Sequence, residues 1–96
     1  MYLALASFGD VFATRERARA LVAETGQAQP NDELRLDITG VCASPSFMAE
    51  LLALLAARFV AVEVVGGTDH LVALTQSLVS KLGLIGRVRV VGLACV

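Results

Sequence analysis

The chain has no tryptophan, one tyrosine and one histidine, and its two cysteines, Cys42 and Cys95, form no CxxC pair. Platforms that stack single-stranded bases are built from aromatic rings, so this shortage argues against one. A lone histidine without clustered thiols cannot supply the ligand set of a zinc site, and neither a metal nor a cofactor is expected. The same residues assemble no nucleophile–base pair, so no enzymatic centre is expected. Two distant thiols fit a reducing compartment. Basic charge is not in excess either: eight Lys and Arg against nine Asp and Glu give a formal net charge of −1. That removes the electrostatic footprint of a nucleic-acid binder. The longest apolar run, 51–57, lies between Glu50 and Arg58 and falls far short of the roughly 20 residues that cross a bilayer. The amino end, MYLALASFGD, lacks the basic flank and the apolar length of a signal peptide. A cytoplasmic protein with no nucleic-acid or membrane partner is expected.

What is present is apolar material in short periodic blocks. Ninety-six residues with 56% hydrophobic content suffice for one domain, 1–96, with its own core. Residues 2–7 read as a first strand, ended by a turn at Phe8-Gly9-Asp10. Thr14 is placed to cap a helix over 15–25 whose buried face is Ala18, Leu21 and Val22, and Gly26 ends it before a polar loop at 27–32. Leu34, Leu36 and Ile38 alternate with Arg35 and Asp37, the pattern of a half-buried strand. The run 60–65 is nearly all valine, with Glu63 its polar exception, and suits an interior strand buried on both faces. Gly66-Gly67 closes that strand, and Thr68-Asp69 caps a helix with the stripe Leu71, Leu74, Leu78 and Leu82, stopped at Lys81 and Gly83. Residues 87–91 alternate Arg and Val, as a strand with one wet face does. Strands alternating with helices predict an α/β fold: a four-stranded, mainly parallel or mixed sheet with three crossover helices.

The informative stretch is 34–55, LRLDITGVCASPSFMAELLALL, where strand alternation gives way to helical period. Ser44 is a good N-cap and Pro45 a good first residue for a helix over 45–57. Ser46 then falls in the first turn, beside the positive end of the helix dipole, where a phosphate or other anion is favoured. Phe47, Leu51, Leu54 and Leu55 form the core stripe. The opposite face carries Ala49, Ala53, Ala56 and Ala57, bordered by Met48 and Leu52, with Glu50 its one acid. An ordinary surface helix shows more charge there. Either a neighbouring helix covers this face or it docks a partner.

LDITGVCASPSF resembles the strand-to-helix segment of STAS domains, the fold of bacterial anti-sigma-factor antagonists, whose pattern reads LDLSGVxFxDSSG. A closer resemblance is to an uncharacterised STAS-like family with an upstream TRE-x-(G/A)-R segment and an SPSF-type helix start, matched here by Thr14 to Arg19 and by Ser44-Pro45-Ser46-Phe47. Pro45 and the pair Phe47-Met48 depart from the antagonist pattern. The resemblance implies a STAS-like fold and a non-enzymatic signalling module working by protein–protein contact. Its partner would be a histidine-kinase-like ATPase or another signalling protein. It also places Ser46 at the family's phosphorylated serine.

On this reading Ser46 is the phosphorylation candidate, and the partner surface comprises Ser44, Ser46, Met48, Ala49, Leu52 and Ala53, with Arg15 and Arg19 nearby. Leu52→Asp would then weaken partner capture without unfolding the domain. The alternative is a small-ligand or nucleotide site at helix starts, using Ser46, Gly66, Gly67 and Thr68. The arginines 15, 17 and 19 are suited to an acidic partner. Asp37 is expected to orient the following loop through backbone N–H groups. Cys42 is expected to be a buried structural thiol, and His70 an isolated residue at a capped helix start. The apolar carboxy end from Val91 to Val96 leaves a homo-oligomer open.

Overall fold

A computed structural model describes residues 2–9, 11–24 and 33–92 of the chain. In order these form β1 (Tyr2–Ala4), one 3-10 turn (Leu5–Ser7), β2 (Val11–Phe12), α1 (Arg15–Glu24), β3 (Glu33–Asp37), β4 (Cys42–Ala43), α2 (Pro45–Arg58), β5 (Ala61–Val65), α3 (Asp69–Lys81) and β6 (Val88–Gly92). Asp10, the helix stop at Thr25-Gly26, the loop 27–32 and the end 93–96 with Cys95 lie outside the described residues. The first strand is shorter than its apolar run, because Leu5 to Ser7 turn off the sheet as a 3-10 helix and Leu5 enters the core.

β1, β3, β5 and β6 make a four-stranded sheet in that spatial order, parallel at every pairing. Each strand is laid beside the last, always on the same side. Right-handed crossovers taken repeatedly in one direction place all their helices on one face of a sheet. The register shows the result. Leu3, Leu36, Val64 and Val90 align across the strands on the helix side, as do Leu34, Val62 and Val88. All but the half-buried Val90 are buried. Tyr2, Arg35, Glu63 and Arg89 align on the other side, which no described element covers.

The fold is therefore α/β with a parallel sheet and three crossover helices, and it corrects the expectation for 60–65. Val62 and Val64 are 1% exposed, but Ala61, Glu63 and Val65 are half-buried and Val60 is 49% exposed. Parallel sheets are usually covered on both faces. Here the monotonic strand order sends no crossover back over the second face.

The helices begin where their caps predict. Thr14 Oγ1 accepts from Arg17 N at 3.1 Å, Ser44 Oγ from Phe47 N at 3.1 Å and Thr68 Oγ1 from Leu71 N at 3.2 Å. α2 is the middle helix of its layer, packed against both α1 and α3 as well as the sheet, and is buried over a wide arc. Phe47, Met48, Leu51, Leu52 and Leu55 are fully buried and Ala56 is 3% exposed. Full burial of a Leu or Met side chain is worth about 1.5–3 kcal/mol, so these residues hold the layers together. On α3 the buried stripe is Leu71, Thr75 and Val79, with Leu74 and Leu78 half-buried at its flank and Leu82 exposed at 42%. An i, i+4, i+8 row thus displaces the leucine stripe as the innermost line. Thr75 is tolerated there because its hydroxyl donates to Leu71 O at 2.7 Å.

Candidate functional site

The site expected at the start of α2 is built on a junction that the sequence pattern does not announce. β2 and β4 pair in parallel, Val11 with Cys42 and Phe12 with Ala43. Ser44 extends the contact, its N–H donating to Phe12 O and its hydroxyl to Ala13 O, both at 2.9 Å. The segments leading into α1 and α2 are thereby stitched together. Phe12 and Phe47 meet beneath them, ring centroids 4.9 Å apart. Arg17 lies over the Phe12 ring at 5.6 Å and donates to Phe8 O at 2.6 Å. Ser44 and Arg17 are thus structural members of this corner. Two-residue strands are too short to carry a readable alternation.

Ser46 is exposed in the first turn of α2, and its side chain hydrogen-bonds to no other described residue. The cap is already supplied by Ser44, which leaves the Ser46 hydroxyl free at the positive end of the helix. Behind it on the same face, Ala53 and Ala57 are exposed and Ala49 and Glu50 half-buried. The neighbouring positions correct the expected partner surface. Met48 and Leu52 are 0% exposed and cannot contact a partner. Phe47 and Met48, the bulky departures from the antagonist pattern, point inward and leave the helix start unobstructed.

Arg15 and Arg19 reach across from α1 to one carboxylate. Arg15 Nη1 lies 3.2 Å from Glu50 Oε1 and Arg19 Nε 3.2 Å from Glu50 Oε2. The hydrogen bond from Arg19, aided by that from Arg15, holds Glu50 below the usual carboxylate range. Glu50 lies one turn beyond Ser46 on the same helix, so the two ion pairs set both arginines beside that turn.

At the carboxyl ends of β3 and β5 a second polar group forms, reached by the side chain of Tyr2 from the first position of β1. Asp37 Oδ1 accepts from Thr39 N at 2.9 Å, as expected of a loop-orienting acid, and Oδ2 accepts from the Tyr2 hydroxyl at 2.5 Å. Hydrogen bonds from Thr39 and then Tyr2 lower the Asp37 pKa, and the bond to Asp37 raises that of Tyr2. Gly66 and Gly67 have φ of +78° and +91°, and both are pressed against the loop after β3. They serve close packing, and the Thr68 hydroxyl is committed to its cap. Nor has this sheet a switch point, the place where adjacent crossovers diverge and open α/β sheets bind ligands. Cys42 is exposed, against the expectation of a buried thiol; its strand β4 pairs with β2 in a two-stranded sheet apart from the main one. His70 is exposed in the first turn of α3.

A broad cleft of about 1120 Å³ lies elsewhere, along the amino ends of β3, β5 and β6 beside Gln76 and Ile85. Its Arg35 and Arg89 both pair with Glu63, and Arg87 donates to Ala56 O at 3.0 Å. It is remote from the Ser46 corner, where the helix starts and unengaged hydroxyl are found. Among the described residues no group of three or more His, Cys, Asp or Glu is placed to hold a metal ion, and no helix is long and apolar enough to cross a membrane.

Comparison with known protein families, curated proteins and solved structures finds no match.

Proposed function

We propose that the chain is a non-enzymatic, STAS-type regulatory module that acts by protein–protein contact at the start of α2. The observation that supports this most is Ser46: exposed, its hydroxyl bonded to no other described residue, on a helix whose cap another serine provides. A phosphate there would bring about −1.5 to −2 charges to a helix amino end and change which partner surface fits it. The contact surface is Ser46, Ala49 and Ala53 with Arg15 and Arg19 alongside, Ser44 serving as its support. The partner class suggested by the LDITGV and SPSF segments is a histidine-kinase-like ATPase or another signalling protein.

The test is affinity capture from the source cells with the wild-type chain, Ser46→Ala and Ser46→Asp. Recovery of one ATPase or signalling protein by the first two and its loss with Ser46→Asp is the expected result. Equal recovery by all three overturns the assignment of Ser46.

A further inference from the structure

Two glutamates of this chain are held alike. Glu63 is bracketed by Arg35 and Arg89, and Glu50 by Arg15 and Arg19. Each carboxylate side chain retains about a fifth of its exposure (21% and 20%), while the four arginines are all more than half exposed. The Glu63 group lies along one row of the sheet, where register alone makes these residues neighbours. The Glu50 group bridges two helices, one turn from Ser46. Because α1 and α2 both connect parallel strands, they run side by side with their positive ends together. Two guanidinium groups sharing one carboxylate leave a surplus positive charge. Among the described residues Arg15 donates only through Nη1 and Arg19 only through Nε, which leaves most N–H donors of both forks open to a partner.

We propose that Arg15 and Arg19 form a docking site for an acidic segment of a protein partner, with Glu50 holding the place of the partner's carboxylate. This rests on the protein-contact reading above and names the chemistry of that partner. Exposed ion pairs contribute little, so one carboxylate exchanges readily for another. A single glutamate cannot engage both forks in bidentate fashion, the geometry that makes arginine selective for carboxylates. A segment with two acids one helical turn apart supplies one carboxylate to each fork.

The test is an NMR titration of the full chain with a synthetic peptide bearing two glutamates four residues apart, and with its glutamine counterpart. The glutamate peptide is expected to shift the Arg15 and Arg19 Nε–H signals and the amides of 46–50, and the glutamine peptide to shift nothing. Glu50→Gln should tighten binding severalfold, and Arg15→Gln with Arg19→Gln should weaken it by about tenfold or more. Arg15→Lys with Arg19→Lys keeps charge and fold while removing the forks, and should bind with intermediate affinity. Absence of binding, shifts centred on Arg35 and Arg89, or an affinity unmoved by Glu50→Gln would overturn the proposal. Peptide binding as described together with partner capture indifferent to Ser46 would sink the Ser46 reading and leave this one standing. The reverse pattern would sink this one alone.

Discussion

Gly66 and Thr39 approach so closely that a β-carbon on the glycine would lie 2.0 Å from Thr39 Oγ1, and 3.0 Å from Asp37 Oδ1. The loops leaving β3 and β5 are locked together at that point.

Alanine at position 66 would meet both this contact and a positive φ. Backbone strain there costs about 1–3 kcal/mol, and overpacking adds about 1–3 kcal/mol. Gly40 and Gly83 have similar φ, +78° and +71°, with nothing within 4 Å of the added carbon. Gly66→Ala is therefore expected to destabilise more than Gly40→Ala or Gly83→Ala, which bear only the backbone cost. Urea denaturation of the three variants measures the difference.

Leu52 separates core from surface on α2. Truncation to Ala should cost about 2–5 kcal/mol, and Leu52→Asp should prevent folding by burying an unpaired charge. Ala53→Asp, one position on and exposed, should still fold and cost only about 1 kcal/mol, from the poorer helix propensity of Asp and its nearness to Glu50. Circular dichroism melts of the three decide it; a folded Leu52→Asp would contradict the packing described.

The two serines at the start of α2 should behave differently. Ser44→Ala removes the cap to Phe47 and the bond to Ala13, at a cost of about 1–2 kcal/mol. Ser46→Ala removes no hydrogen bond between described residues and should change stability by less than about 0.5 kcal/mol. Equal losses in denaturation midpoint would show that Ser46 is structural too.

Stability should be flat near neutrality and fall at both ends of the pH scale. Asp37 is held below the ordinary carboxylate range by its hydrogen bonds from Thr39 and Tyr2, and Glu50 and Glu63, lowered likewise, add little because their ion pairs are exposed to solvent. Their contribution is complete above the unfolded value of about 4 and lost as pH drops through the lower folded values. Tyr2 is shifted upward by its bond to Asp37. Its contribution is complete below about 10 and lost as pH rises through the higher folded value. Denaturation midpoints across pH should show both limbs, and Tyr2→Phe should flatten the alkaline one. An alkaline limb unchanged in Tyr2→Phe would mean that the Tyr2–Asp37 bond does not carry it.

The helix starts were legible because caps are local: Thr14, Ser44 and Thr68 each bond a backbone N–H three residues on. The alternation of 34–38 was legible for the same kind of reason, since a period of two places Arg35 and Leu36 on opposite faces whatever the neighbours. The place of Ser46 in the first turn was legible, but its exposure was not, since Phe47 and Met48 in the same turn are buried. Met48 and Leu52 were misplaced because an amphipathic pattern shows which residues can be buried, not how many sides of a helix its neighbours will cover. The β2–β4 junction left no trace, as two residues cannot establish a period.

Local chemistry in the chain thus determined the three helix starts with their caps and the alternation of β3 and β6, but not the short β2 and β4 or the open face of β5. The order in which strands lie side by side depends on contacts between residues far apart in sequence. That order made α2 a central helix, buried Leu52 and left Glu63 on an open face. It also brought Arg15 and Arg19 to Glu50, a meeting that no spacing along the chain encodes, because Glu50 shares neither a helix nor a strand with them.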